Sequence, residues 1–211
     1  ILFEVEKEIS IQNLAILDSL NFIFGLIVNP YYLDSNLTHD IRKLKSPDIL
    51  IKTPLEAKGR FPDRLTLAIS HTSWEIHQKI STLSQISPNA LGLMPVLGSL
   101  ALHHSGFLDN FMKTLNERKL ILAIPHKNNN SLIEDRCTHF QVNCQYLSRG
   151  KFSAKSPSQF IKSQIKESRK RGTSILTLPL RKDYLYAADS IFSDFEGTGI
   201  SVVELNQISK Y

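Results

Sequence analysis

The chain is short of the residues that mark several functional classes. Only two cysteines occur among its 211 residues, Cys137 and Cys144. With no Cys-x-x-Cys spacing, a zinc or disulfide scaffold is unsupported and a reducing compartment is the simpler expectation. No Gly-x-Gly-x-x-Gly or Walker pattern is present, and Gly92-Leu93-Met94-Pro95-Val96-Leu97-Gly98 reads as turns rather than a phosphate cradle. His126, His139 and the cysteines share no metal-ligand spacing, so neither a metal nor another cofactor is expected. Long apolar runs are missing too. The most apolar window, Leu14 to Val28, is broken by Asp18, Ser19 and Asn21 and falls short of the roughly 20 residues that a membrane span needs. It reads as a buried or membrane-surface helix, and the location as cytoplasmic, with peripheral membrane attachment as an option. There is no internal repeat, and the only low-complexity tract is Asn128-Asn129-Asn130.

What is present is ordinary for a globular protein. Hydrophobic residues make up 42% and charged residues 21%, which argues against disorder. The length suits a single α/β domain with its own core, an irregular helical segment over 1–60 preceding the α/β core of 61–211. Lys and Arg number 25 against 20 acids, a net charge of +5. That balance favours an anionic partner such as nucleic acid, a phospholipid surface or an acidic carrier protein, although solubility alone accounts for it as well.

Periodicity supplies the elements. Ser10 caps a helix expected to run to about Val28, where Asn29-Pro30 stops it. The polar segment from Tyr31 to Arg60 reads as a short helix and one or two extended pieces. Strand and helix patterns then alternate: a strand over 65–70, a helix from Trp74 to Leu83, a short strand over 91–96, a helix over 97–117 and a buried strand over 119–125. A short helix capped by Ser131 follows, then a strand over 140–147 and a basic helix from Ser156-Pro157 to Arg171 closed by Gly172. A strand over 173–180, a helix over 184–192 and a last strand over 200–205 complete the chain. This pattern predicts an α/β fold: a three-layer, mostly parallel sheet with helices on both faces, preceded by an N-terminal helical segment.

In such a sheet, ligands bind at the carboxyl ends of strands. His71 follows the strand over 65–70, with Glu75 one helical turn on. The imidazole can take a proton from a hydroxyl acceptor while the carboxylate orients it. The plainer reading makes His71 a helix cap and Glu75 a solvated first-turn acid.

Three stretches carry a family resemblance. They are Ser70-His71-Thr72-Ser73-Trp74-Glu75, the basic helix, glycine and apolar strand from Ile165 to Pro179, and Ile191-Phe192-Ser193-Asp194-Phe195-Glu196-Gly197. In this order they resemble the lysophospholipid-acyltransferase-like superfamily, in its late lipid A acyltransferase branch, with three residues between His71 and Glu75 where that family has four. The resemblance implies a transferase of lipid metabolism, moving an acyl chain from an acyl carrier protein or coenzyme A thioester to a hydroxyl or amine. His71 would be its general base and Glu75 the orienting partner. Ser73 and Trp74 would lie in the substrate-binding motif, and Arg181 or Lys182 would bind phosphate or the oxyanion. The basic helix with Lys162, Lys166, Arg169, Lys170 and Arg171 would meet the acidic carrier or anionic headgroups.

Two other constellations remain. Pro47-Asp48 with Glu56-Ala57-Lys58 follows the logic of PD-(D/E)xK nucleases, in which paired carboxylates hold Mg²⁺ and a lysine assists water. A tight hairpin would bring Asp48 opposite Lys58, and DNA would be the partner. His103-His104 with Asp109 has a His-x4-Asp spacing but falls inside an expected helix.

Overall fold

The structure, a computed structural model, describes all residues except 6–9, 33–37, 40, 42, 45–47, 87–89, 126–130, 149–155, 173, 194, 196–198 and 209–211. Glu6, Glu8, His126 and Asn128-Asn129-Asn130 therefore lie outside the described residues.

Among the described residues seven strands carry the fold: β1 Leu2–Glu4, β2 Gly25–Val28, β3 Asp48–Leu55, β4 Ala90–Leu97, β5 Ile121–Ile124, β6 Cys144–Ser148 and β7 Ile175–Pro179. The pairings of these short, mostly buried strands are parallel, and the strand order runs in sequence from β1 to β7 in a closed barrel. The expectation of a parallel α/β architecture holds. The open three-layer sheet with helices on both faces is corrected, because a strand order that never reverses and returns to β1 leaves no free edge. Alternating strand and helix patterns suit both arrangements, so periodicity could not separate them.

The helices whose bounds lie within the described residues are α1 Ile11–Ser19, α2 Ser73–Ile86, α3 Ser105–Glu117, α4 Ser131–His139, α5 Pro157–Arg171 and α6 Lys182–Phe192. Two compact units are distinguished, one made of Ile1–Asp48 with Leu147–Ser209, the other of Ile49–Tyr146.

In the first unit, β1 pairs with β2 on one side and β7 on the other, around Phe3, Leu26, Ile27 and Leu178. Ser10 caps α1 by accepting the Asn13 N–H at 3.1 Å, but the helix stops at Ser19 instead of running to Val28. The end of that apolar run is the fully buried strand β2, whose branched Ile27 and Val28 suit a buried strand better than a helix. α5 follows its sequence signals, with Ser156 capping it, Pro157 in its first turn and Gly172 ending it at φ 82°. The strand expected over 200–205 does not form. Leu205 is held instead through its N–H, donated to the Asp48 carboxylate at 2.7 Å.

In the second unit, β3 pairs with β4 over most of its length. This is the strand that Lys52, Thr53 and Pro54 concealed, since proline argues against a strand. α3 starts at Ser105 rather than 97, because the His104 ring accepts the Phe107 N–H and caps it. Its buried face carries Phe107, Phe111 and Leu115, with the two phenyl rings stacked 5.6 Å apart. Cys137 near the end of α4 and Cys144 at the start of β6 form a disulfide. That replaces the expectation of unpaired cysteines, since a return from helix to strand brings their Cα atoms to 6.1 Å, within bonding range.

Candidate functional site

The carboxyl end of β3, in the second unit, is built around Glu56. Its N–H is donated to Leu67 O at 2.9 Å, and its own carbonyl accepts the N–H groups of Leu100 and Ala101, both at 3.2 Å. Leu67 makes a single parallel bridge to Leu55, so the strand expected over 65–70 shrinks to one pairing. The loop between them, with Phe61 fully exposed, is braced by Asp63. Its carboxylate accepts the N–H groups of Leu65 and Thr66 at 2.9 and 3.0 Å.

Two side chains fix the next turn at adjacent amides. Glu56 Oε2 accepts the Ile69 N–H at 2.8 Å, and His71 Nδ1 accepts the Ala68 N–H at 3.0 Å. Because Nδ1 accepts, the neutral ring carries its proton on Nε2, where it is a donor. Burial lowers the His71 pKa below the ordinary 6.5 and Lys79 adds to the fall, while Glu75 and Glu56 oppose it. The imidazole is thus disposed to stay neutral at pH 7.

Glu75 does not orient that ring by a hydrogen bond. Its carboxylate accepts the Thr72 N–H at 2.7 Å and the Thr72 hydroxyl at 2.8 Å, while Thr72 Oγ1 accepts the Glu75 N–H at 3.3 Å. This reciprocal capping box starts α2. The two bonds from Thr72 also hold the Glu75 carboxyl below its usual range. Ser73 and Trp74 open the helix exposed, the indole at 70%.

The other sequence candidates have contacts of their own. Arg181 and Lys182 belong to the first unit, where Arg181 forks onto Asp183 at 3.1 and 2.8 Å and Lys182 Nζ lies 5.9 Å from the Tyr186 ring centroid. Asp48 and Glu56 stand at opposite ends of one continuous extended strand, so the hairpin that would pair Asp48 with Lys58 does not exist. At about 3.3 Å of rise per residue they are roughly 26 Å apart, too far to share a cation. Burial raises the Asp48 pKa, partly offset by the Leu205 N–H. His104 is a helix cap, and Asp109 pairs with Arg136, so the His-x4-Asp spacing assembles no site. Sequence reasoning noticed Glu56 only as a nuclease ligand and passed over Phe61. The available signal was the apolar alternation of Ile49, Ile51 and Leu55 ending at an acid.

The family model for divergent polysaccharide deacetylases matches residues 11–209. A crystal structure described as the uncharacterized protein ATU2773 from Agrobacterium tumefaciens is similar in fold. It has 16% identity and a TM-score of 0.73, over 96% of this chain and 86% of that one. No curated protein matches. The family match overturns the acyltransferase resemblance and what it implied: the transferase activity, lipid metabolism, and an acyl carrier protein or acyl-CoA as partner. The short motifs behind that resemblance are a capping box, a capped basic helix and an aromatic segment, which many α/β chains can produce. The nuclease reading and its nucleic-acid partner fall with it.

Hydrolysing an acetyl group calls for an activated water, often on a divalent cation held by His, Asp and Glu. Among the described residues, no three such side chains (Cys included) are grouped to hold one. The described strands end in Glu4, Val28, Leu55, Leu97, Ile124, Ser148 and Pro179, with Glu56 following β3. Barrel enzymes draw catalytic groups from several strand ends. The described donor set does not fit a metal centre.

Proposed function

Because the chain belongs to the divergent polysaccharide deacetylase family, we propose that it recognises an acetylated polysaccharide at the carboxyl end of β3 in the second unit. The observation that carries this reading is a rigidly braced polar turn beside exposed aromatic side chains. Phe61 and Trp74 offer apolar ring faces to the C–H faces of sugars. His71 Nε2–H donates to an acetyl carbonyl oxygen, and being neutral it gives up little hydration in doing so. The Glu56 carboxylate retains acceptor capacity beyond its bond to Ile69 for a sugar hydroxyl or amide N–H. In this reading Ser73 and Trp74 are binding positions and Glu75 is a structural cap, while Arg181 and Lys182 take no part.

Among the described residues no helix is long and apolar enough to cross a membrane. The Cys137–Cys144 disulfide favours an oxidising compartment over the reducing one expected from cysteine spacing.

Calorimetric titration with N-acetylglucosamine oligomers tests the proposal, with the same oligomers after chemical de-N-acetylation as control. Saturable binding of the acetylated series is expected, weakened about tenfold by Trp74→Ala, the loss that goes with about 1.4 kcal/mol of ring contact. Equal affinity for both series would refute it. Acetate release that depends on an added divalent cation would contradict a role confined to recognition.

A further inference from the structure

We propose that a groove between α5 and α6 in the first unit is a second site, one that docks an anionic polysaccharide. Lys162, Lys166 and Arg169 line it together with Ile165, Ile191 and Phe195, around a cavity of about 590 Å³. The spacing of four and then three residues puts the three cations on one helical face, over about 10 Å of helix axis. All three are exposed, and none pairs with a carboxylate among the described residues. The one acid of the helix, Glu167, points off this face and meets Lys170 at 3.5 Å.

Helix electrostatics alone does not explain such a stripe. Positive charge near the C-terminus of a helix is favourable, which accounts for Arg169 and Lys170 but not for Lys162, close to the capped N-terminal end. Like charges one turn apart instead destabilise a helix by a few tenths of a kcal/mol per pair. A bound polyanion removes that repulsion.

The floor of the groove selects among polyanions. Ile165, Ile191 and Phe195 offer an apolar strip between the cations, suited to a chain that alternates C–H faces with acidic groups, as a uronic-acid polymer does. A lipid headgroup layer or a nucleic-acid backbone would use the exposed cations but leave the apolar floor of Ile165, Ile191 and Phe195 without a matching face. The choice of a glycan rests on the polysaccharide reading above. The cationic groove itself does not.

The test titrates the full chain with polygalacturonate oligomers at 50 and 200 mM salt, alongside phosphatidylglycerol vesicles and duplex DNA. Binding of the oligomers is expected to fall roughly twenty- to fortyfold across that salt range, as neutralisation of three charges implies. It should fall at least tenfold further in the triple variant Lys162→Gln, Lys166→Gln, Arg169→Gln, which removes the charges but keeps polar, helix-compatible side chains and whose folding is checked by circular dichroism. Unchanged affinity in that variant, or a preference for vesicles or DNA over the oligomers, would overturn the proposal. Neutral acetylated oligomers, followed separately through Trp74 fluorescence, report on the other site, so failure of either reading is recognised independently of the other.

Discussion

Breaking the Cys137–Cys144 disulfide is the perturbation with the most calculable consequence. The bond joins the end of α4 to the first residue of β6 across a sequence separation of seven. In the chain-entropy treatment, a loop of that length restricts the unfolded ensemble by about 2.5 kcal/mol at 25 °C. Cys137 is buried and β6 is hydrogen-bonded to β5, so the reduced thiols keep their packing and most of the loss falls on the unfolded state. For a chain of this size, 2.5 kcal/mol corresponds to a fall in Tm of roughly 5–10 °C. Urea and thermal unfolding with and without a phosphine reductant, compared with the double variant Cys137→Ala, Cys144→Ala, measure it, together with a thiol count in denaturant. The reduced protein and the double variant should lose similar stability. Two free thiols per chain in protein prepared without reductant, or a stability change below about 0.5 kcal/mol, would refute both the pairing and the compartment it favours.

Other outcomes follow from single contacts. Gly92→Ala puts a Cβ against the Ile121 carbonyl, a backbone atom that cannot swing aside, so urea unfolding should show a loss of about 1–3 kcal/mol, whereas a neutral result would mean that β4 and β5 are not packed this closely. His71 should titrate below 6.5 by NMR, and Lys79→Met should raise its midpoint, because burial and Lys79 both disfavour the imidazolium. With the folded pKa lowered, the unfolded chain protonates first: the contribution of His71 to stability is complete above pH 6.5 and is lost as pH falls toward the folded pKa. A His71→Gln variant should flatten that slope, and an unaltered slope would assign it to other groups.

Local chemistry was more legible in the sequence than topology. Ser156-Pro157 and Gly172 announce both ends of α5, because caps and left-handed positions are set by single residues. The apolar run Leu122-Ala123-Ile124 likewise lies in β5, where it was expected. Closure of the sheet left no trace, since it depends on the pairing of β1 with β7, residues more than 170 positions apart. The apolar stretch from Leu14 onward misled because a buried strand and a buried helix share the same composition, and only β2's place beside β1 decides the outcome. At the site, Thr72 and Glu75 carry the capping-box spacing, which the plainer reading of Glu75 as a first-turn acid came close to. The role of Glu56 was hidden, because β3 was broken up on paper by Pro54 and its carboxyl end could not be located.

Trp74 is the only tryptophan in the chain and stands 70% exposed at the start of α2, so it reports directly on the site proposed for the acetylated polysaccharide. The decisive measurement is its fluorescence during titration with N-acetylglucosamine oligomers, with Phe61→Ala in parallel. A saturable blue shift that the de-N-acetylated oligomers do not produce, and that weakens in the Phe61 variant, is the expected result. An emission spectrum that stays unchanged while calorimetry records binding would place the glycan elsewhere on the molecule and contradict the assignment.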